Sequence, residues 1–431
     1  ELPLSFAQRR AWLLSQLGGE GAYNIPILWR LGGSLDIAAL RAAMGDVVAR
    51  HEVLRTRIVQ GTGEPTQRIL AAGEAQPPFR LVVSFEADST SLIEAEVARG
   101  FNLASDDPIR TTLIELTPRD HLLLLVLHHA AADGASIAPL LSDLAQAYAA
   151  RLAGRAPEFT PLSMSYIDFA LWQRARLDEA TEAEQLAYWR AKLAALPDEI
   201  ALPVDRKRPA QPSHASGAVA ITIAPDTAQR LRQIAREQNA TLFMVLEAAL
   251  SALLHRLGGG DDIVIGTASG GRKDSGLDAL VGFFVDTLVL RNDLSGDPDF
   301  VTLLARVRAT CIDAYAHDAL PLERIVEALD PPRIAGRQPL FQTMLSLEVG
   351  PAATLDMPGI TATPETILAA GQSKFSLSFE ILDHGDALTG RLEYSADLFD
   401  RLTAEDLVAR FGRLLDQIGR DSRARLSRLD I

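Results

Sequence analysis

The run Leu122-Leu123-Leu124-Leu125-Val126-Leu127, passing without a break into His128 and His129, constrains the fold more than any other stretch of this chain. Six apolar residues fall far short of the ~20 needed to cross a bilayer. They read as a short strand buried on both faces. Successive strand side chains point to opposite faces, so His128 and His129 cannot enter one cavity while strand geometry lasts. One points into packing and the other into open space.

The sequence around this strand alternates helical and extended patterns. Asp36 is placed to cap a helix whose apolar face runs Ile37, Leu40, Met44, Val47. Extended stretches are expected at Phe79–Ser84 and Ile109–Leu116, and a helix from Ile137 to Ala150. The second half repeats the texture. It has a strand at Ala218–Ile223, helices capped by Asp226 and Thr241, and a helix stop at Gly258-Gly259-Gly260. Further strands are expected at Ile263–Gly266, Phe283–Leu290 and Phe341–Leu347, and a closing helix at Leu402–Ile418. A chain of 431 residues exceeds one ordinary core. The expectation is an α/β protein of two lobes with mixed sheets, residues 1–175 and 176–431.

Composition narrows the function classes. Hydrophobic residues make up 48% and charged residues 23%, as in soluble globular proteins. The formal net charge of −14 argues against nucleic acid and anionic membrane surfaces as partners. The single cysteine, Cys311, forms no internal disulfide, and no Cys/His cluster has zinc spacing, which fits a reducing cytoplasm and no metal. Near Val307 and Ala314, it reads as core filler.

The candidate chemistry lies in His128-His129-Ala130-Ala131-Ala132-Asp133-Gly134. A neutral histidine at a strand end accepts a proton from an amine; once protonated, it stabilises an oxyanion. Asp133 suits a turn and holds a cation or backbone donor. Gly134 permits close approach by a substrate.

This segment resembles the HHxxxDG core motif of nonribosomal peptide synthetase condensation domains. Six other segments carry the same resemblance in the same order. They are Ser5-Phe6-Ala7-Gln8-Arg9-Arg10-Ala11-Trp12, Arg50-His51-Glu52-Val53-Leu54-Arg55-Thr56, Tyr166-Ile167-Asp168-Phe169-Ala170-Leu171-Trp172-Gln173, Val281-Gly282-Phe283-Phe284-Val285-Asp286-Thr287, His317-Asp318-Ala319-Leu320-Pro321-Leu322-Glu323 and Arg337-Gln338-Pro339-Leu340-Phe341. They span residues 1 to about 345; the tail fits more weakly.

The resemblance implies two chloramphenicol acetyltransferase-like lobes arranged as a V-shaped pseudodimer, with floor and latch segments in the C-terminal lobe. It implies that His129 is catalytic, His128 supporting, and Asp133 structural in an ion pair with an arginine, for which Arg55 is the candidate. Gly134 then lies beside the reacting groups, and Ala135, Ser136, Gly282 and Phe284 are candidates to line a substrate tunnel. Substrates arrive on 4'-phosphopantetheine arms of donor and acceptor peptidyl carrier proteins, beside an adenylation domain, with no permanently bound cofactor. The donor is already a thioester, so no nucleotide is needed. Two roles stay open for His129, proton acceptor or stabiliser of the tetrahedral intermediate.

The sequence departs from the family at Ala135, where many relatives carry Trp, and at Asp286, in place of Asn. The family's F-D-L stands here as Phe375-Ser376-Leu377. Leu31-Gly32-Gly33-Ser34-Leu35 mimics a carrier attachment site but lacks one residue of its spacing, and reads as a turn. Gly258-Gly259-Gly260-Asp261 lacks the Lys-Ser/Thr of a phosphate loop. His51 and His317 read as satisfied structural histidines, Arg50 and Glu52 as helix-end surface charges, and Trp12, Trp172 and Trp189 as packing. Three alternatives share the fold: an epimerisation domain, a non-catalytic recruitment platform and a free acyltransferase using coenzyme A. The Arg50–Thr56 segment counts against the first and the whole HHxxxDG against the second. The synthetase motifs beyond HxxxDG count against the third. Ala22-Tyr23-Asn24-Ile25-Pro26 resembles elongation rather than starter domains.

Overall fold

The computed structural model describes residues 2–16, 21, 23–61, 63–75, 77–197, 199–332, 334, 337–350, 353–365, 367 and 373–431. Ala22 of the elongation-like opening lies outside them. The chain forms two compact units, Glu1–Asp178 with Gly270–Val285 and Ala353–Gly371, and Glu179–Ser269 with Asp286–Ala352 and Gln372–Ile431. A continuous second lobe from residue 176 carrying the floor segment is therefore corrected. Gly270–Val285 returns to the first unit because its backbone and Arg272 bond to Asp133. Ala353–Gly371 returns because Ile360–Glu365 pairs with Asn24–Gly33.

In the first unit a five-stranded sheet runs in the order Ile360–Glu365, Asn24–Gly33, Asp120–His128, Ile109–Thr117, Phe79–Val83. The last pair is parallel and the others antiparallel. Asp120–His128 is the middle strand, and its period of two divides two cores. Leu123, Leu125 and Leu127 pack with Leu40, Met44, Val47, Leu140 and Leu144, from the helices Ile37–Arg50 and Ile137–Leu152. Leu122, Leu124 and Val126 pack with Ile93 and Val97, from the helix Glu86–Ala98. Each such leucine contributes about 1.5–3 kcal/mol through burial. Asp36 caps Ile37–Arg50 as expected, accepting the Ala39 N–H at 2.9 Å.

The second unit holds a six-stranded mixed sheet, ordered Asp286–Asp293, Asp262–Ser269, Thr343–Val349, Leu377–Asp383, Leu388–Ser395, Ser216–Ile223. The expected strand at Phe283–Leu290 begins only at Asp286, because Phe283 and Phe284 serve the first unit. Asp226 does not cap: the helix Pro225–Glu237 starts earlier, at a proline whose missing N–H costs nothing there. Thr241 does cap Leu242–Leu254, which stops in a turn where Gly258 takes φ +99°. The stretch Leu242–Gly259 is long and apolar enough to cross a membrane, but 61% of it is buried within the protein. Cys311 is buried core, and its thiol is pushed up by desolvation.

One acid interrupts that apolar helix. Glu247 is fully buried, and its Oε1 accepts one hydrogen bond from Asn292 Nδ2 at 2.8 Å. Desolvation raises its carboxyl from 4.5 to about 8. A raised folded-state value makes the folded chain the better proton binder, so stability present below pH 4.5 is lost as pH climbs through about 8. The full effect is on the order of 5 kcal/mol. E247Q is expected to flatten the fall of urea midpoint between pH 5 and 9; an unchanged slope would contradict this account.

Candidate active site

The sheet sets the site by parity. His128 ends the middle strand opposite Asn24, on the face of Leu124 and Val126, and is buried. Its ring meets the edge of Phe101 at 5.9 Å and lies 6.3 Å from Tyr23. Its Nδ1 accepts the Ala130 N–H at 3.0 Å. An acceptor nitrogen offers its lone pair, so this bond suits the tautomer with its hydrogen on Nε2. His129 leaves by the other face and is partly exposed. Its backbone N–H donates to the Tyr23 carbonyl at 2.7 Å, and its ring lies 4.5 Å from Phe283. Gly134 and Ala135 are also exposed.

Asp133 is wholly buried and fully engaged. Its Oδ1 accepts from Ser136 N at 3.0 Å, Ser136 Oγ at 2.7 Å and Arg272 Nη2 at 3.0 Å. Its Oδ2 accepts the Phe284 N–H at 3.0 Å. The arginine is therefore Arg272 and not Arg55. Arg55 is drawn away by the Leu70 carbonyl and lies 3.4 Å from Glu52. Arg272 lies 4.0 Å over the Phe284 ring and donates to the carbonyls of Leu277 and Leu280 at 2.5 and 2.9 Å. The pair is buried, and both carboxylate oxygens accept hydrogen bonds, the support a buried ion pair needs.

Ser136, Gly282 and Phe284, expected to line a tunnel, are buried within this network. Ser136 Oγ accepts the Gly282 N–H at 3.1 Å and lies 2.9 Å from the Gly282 carbonyl. A Cβ at Gly282 would meet the Tyr166 ring at 2.2 Å, so only glycine fits. Three of the recognised segments converge here. Tyr166 OH donates to the Phe283 carbonyl at 2.6 Å and is 2.8 Å from Ser5 Oγ. Ser5 and Gln8 form a capping box at the start of Phe6–Gln16, at 3.0 and 3.1 Å. Burial pushes the Tyr166 phenol well above its usual range. Tyr166→Phe orphans the Phe283 carbonyl, and thermal unfolding should report a loss of about 1–2 kcal/mol; no loss would mean the bond is idle.

Sequence reasoning missed Arg272, Phe283 and Arg10. Arg272 follows Gly270-Gly271 at a distance of 139 residues from Asp133, which no local spacing reveals. Arg10, inside the opening motif, sits 5.4 Å over the Phe283 ring and donates to the Val285 carbonyl at 3.4 Å. Arg50 is no surface charge. It bonds Asp143 at 2.7 Å, as does the buried His51 at the same distance. These two residues line a cavity of about 540 Å³ with Arg55, Phe159, Met164 and Val281. Trp172 is half exposed, its other side 6.0 Å from the Phe169 ring, whereas Trp189 is buried and donates to the His317 carbonyl at 2.9 Å. Among the described residues no three His, Cys, Asp or Glu side chains gather as a metal-binding group.

Comparison with known proteins gives one family. The Condensation domain family model matches residues 1–431. The chain is 44% identical over 438 residues to the probable non-canonical nonribosomal peptide synthetase CymA of Salinispora arenicola, covering 100% of this chain and 6% of that protein. It is 43% identical over 443 residues to the dimodular nonribosomal peptide synthase of Bacillus subtilis, covering 100% of this chain and 19% of that protein. It thus spans a small part of these curated relatives. Among solved structures, the X-domain from teicoplanin biosynthesis superposes with a TM-score of 0.91 at 35% identity, covering 100% and 97% of the two chains. The first condensation domain of the calcium-dependent antibiotic synthetase superposes with a TM-score of 0.82, covering 100% and 99%, and at 21% identity shows the fold alone. With its mixed α/β, chloramphenicol acetyltransferase-like fold, the chain belongs to the condensation domain family of nonribosomal peptide synthetases.

Proposed function

We propose that the chain forms an amide bond between a donor acyl or aminoacyl thioester and the amine of an acceptor aminoacyl group, each held on the phosphopantetheine arm of a carrier protein. What supports this is one partly exposed histidine, His129, on a turn fixed by the buried Asp133–Arg272 pair. The acceptor nitrogen attacks the thioester carbon, a tetrahedral oxyanion forms, and the donor thiolate leaves as the amine proton departs. The α-amine has a reference value near ~8, so part of it is neutral unaided. Alignment of amine and thioester then supplies the larger share of the rate, and His129 takes the proton or steadies the oxyanion. Carriers and an adenylation domain are the partners, and one buried cysteine suits a reducing cytoplasm.

The test is single-turnover condensation, with two loaded carriers and the acceptor followed by intact mass. A dipeptidyl adduct on the acceptor supports the proposal. A second reading, a recruitment platform, is favoured by the likeness to the teicoplanin X-domain, solved also in complex with OxyB, at a TM-score of 0.90. Tight protein binding without transfer across a broad donor panel would select it. Exchange of the donor α-proton without mass transfer would select epimerisation.

A further inference from the structure

We propose that Arg110, together with Asn24, is a positioning residue for the His128–His129 pair, acting through the end of a helix on the far face of the sheet. This rests on the condensation reading above. The helix Glu86–Ala98 ends against the sheet, and the last carbonyls of a helix have no partner of their own. Two side chains supply partners. Asn24 Nδ2 donates to the carbonyls of Val97 at 2.6 Å and Arg99 at 2.8 Å. Arg110 Nη2 donates to the carbonyls of Glu96 at 2.6 Å and Arg99, and its Nη1 to Gly100 at 3.3 Å. Asn24 and Arg110 stand on the two strands that flank Asp120–His128, Asn24 directly opposite His128. The helix end is thereby bolted across the middle strand at the point where the histidines begin.

Phe101 carries that fixation to the histidine. The backbone leaves the helix through Gly100, whose carbonyl Arg110 holds, and places the Phe101 ring 4.0 Å from the Arg110 guanidinium. The edge of Phe101 then meets His128 at 5.9 Å. His128 in turn fixes the following turn by accepting the Ala130 N–H. Tyr23, next to Asn24 in sequence, receives the His129 N–H. Both routes from the clamp end on the backbone that presents the His129 ring. Arg110 is buried, with Glu96 Oε2 3.7 Å from its Nε. Holding an arginine there against desolvation and the neighbouring Arg99 depresses it to about 10. A lone helix cap in this position does not require a guanidinium: three carbonyls and a ring face match its planar fork, and a lysine ammonium satisfies only part of that set.

R110K and N24A test the proposal in the 431-residue chain, with R80Q as control. Arg80 bonds the same Glu96 at 2.8 Å but touches none of the clamped carbonyls. Histidine ring resonances, assigned by single replacement among the 8 histidines, are read by NMR beside single-turnover rates at saturating carriers. R110K and N24A are expected to shift both the His128 and His129 ring signals. They are also expected to lower the rate about tenfold while its dependence on acceptor-carrier concentration stays unchanged, and R80Q to do neither. Unmoved His129 signals in R110K, or equal movement in R80Q, would overturn the positioning role whatever the rates. Absence of product from the wild type would instead overturn the condensation reading, and the ring signals would still decide the role of Arg110.

Discussion

His129→Ala is expected to slow transfer between two loaded carriers by about 10²–10⁴-fold, the usual worth of a positioned acid–base group. The variant is a clean probe because the groups that hold Asp133 do not include the His129 ring. The His129 N–H that bonds Tyr23 is backbone and survives the change, and Asp133 is satisfied by Ser136, Arg272 and Phe284. Thermal unfolding should therefore move little while the appearance of dipeptidyl adduct falls. The fall should also stop short of the uncatalysed rate, since holding amine and thioester together remains. A variant as fast as the wild type would remove His129 from the chemistry and leave alignment alone. His128→Ala should behave differently. It deletes a ring packed between Phe101 and Tyr23 and an acceptor for Ala130, so stability should fall with activity.

The second large effect is on stability. Asp133→Ala strips a guanidinium of its counter-charge inside the protein, and breaking one side of a buried pair costs about 3–5 kcal/mol. Denaturant midpoints at constant slope measure it. Arg272→Ala should cost a similar amount, and the double variant less than the sum, with a coupling of about 1–3 kcal/mol. Arg55→Ala is the contrast. It loses bonds to Leu70 and Glu52 but leaves Asp133 untouched, so its coupling to Asp133→Ala should be near zero. A coupling for Arg55 as large as that for Arg272 would overturn the assignment of the pair.

Much of this fold is written in local pattern. Leu122–Leu127 predicts a middle strand because six apolar residues in a row need cover on both faces, and the odd and even leucines do divide two cores. Asp36 and Thr241 are legible because a capping side chain acts within three residues. The opposite faces of His128 and His129 follow from strand geometry alone. Illegible were the partnerships made by chain return. Nothing near Asp133 announces Arg272, and an arginine in a familiar motif was the better-marked candidate. Phe283 and Phe284 read as strand by composition, yet hydrogen bonds to Asp133 and Tyr166 hold them in another role. Trp172 shows the same limit, since helical spacing places a ring on a face without saying what covers it.

The first unit is assembled from three separated stretches, and this orders events during synthesis. When residue 178 has been translated, Asp120–His128 and its flanking strands are all present, yet Asp133 has neither Arg272 nor the Phe284 amide. Until Gly270–Val285 emerges, the turn bearing the histidines holds an unpaired carboxylate, which favours an open, hydrated loop. The histidine turn of a nascent chain is thus unset while Asp120–His128 and its flanking strands have already been made. It matures only after more than ninety further residues have left the ribosome. At ~5–20 residues per second that is a delay of several seconds or more, during which the growing chain carries a histidine turn that is present but not yet set.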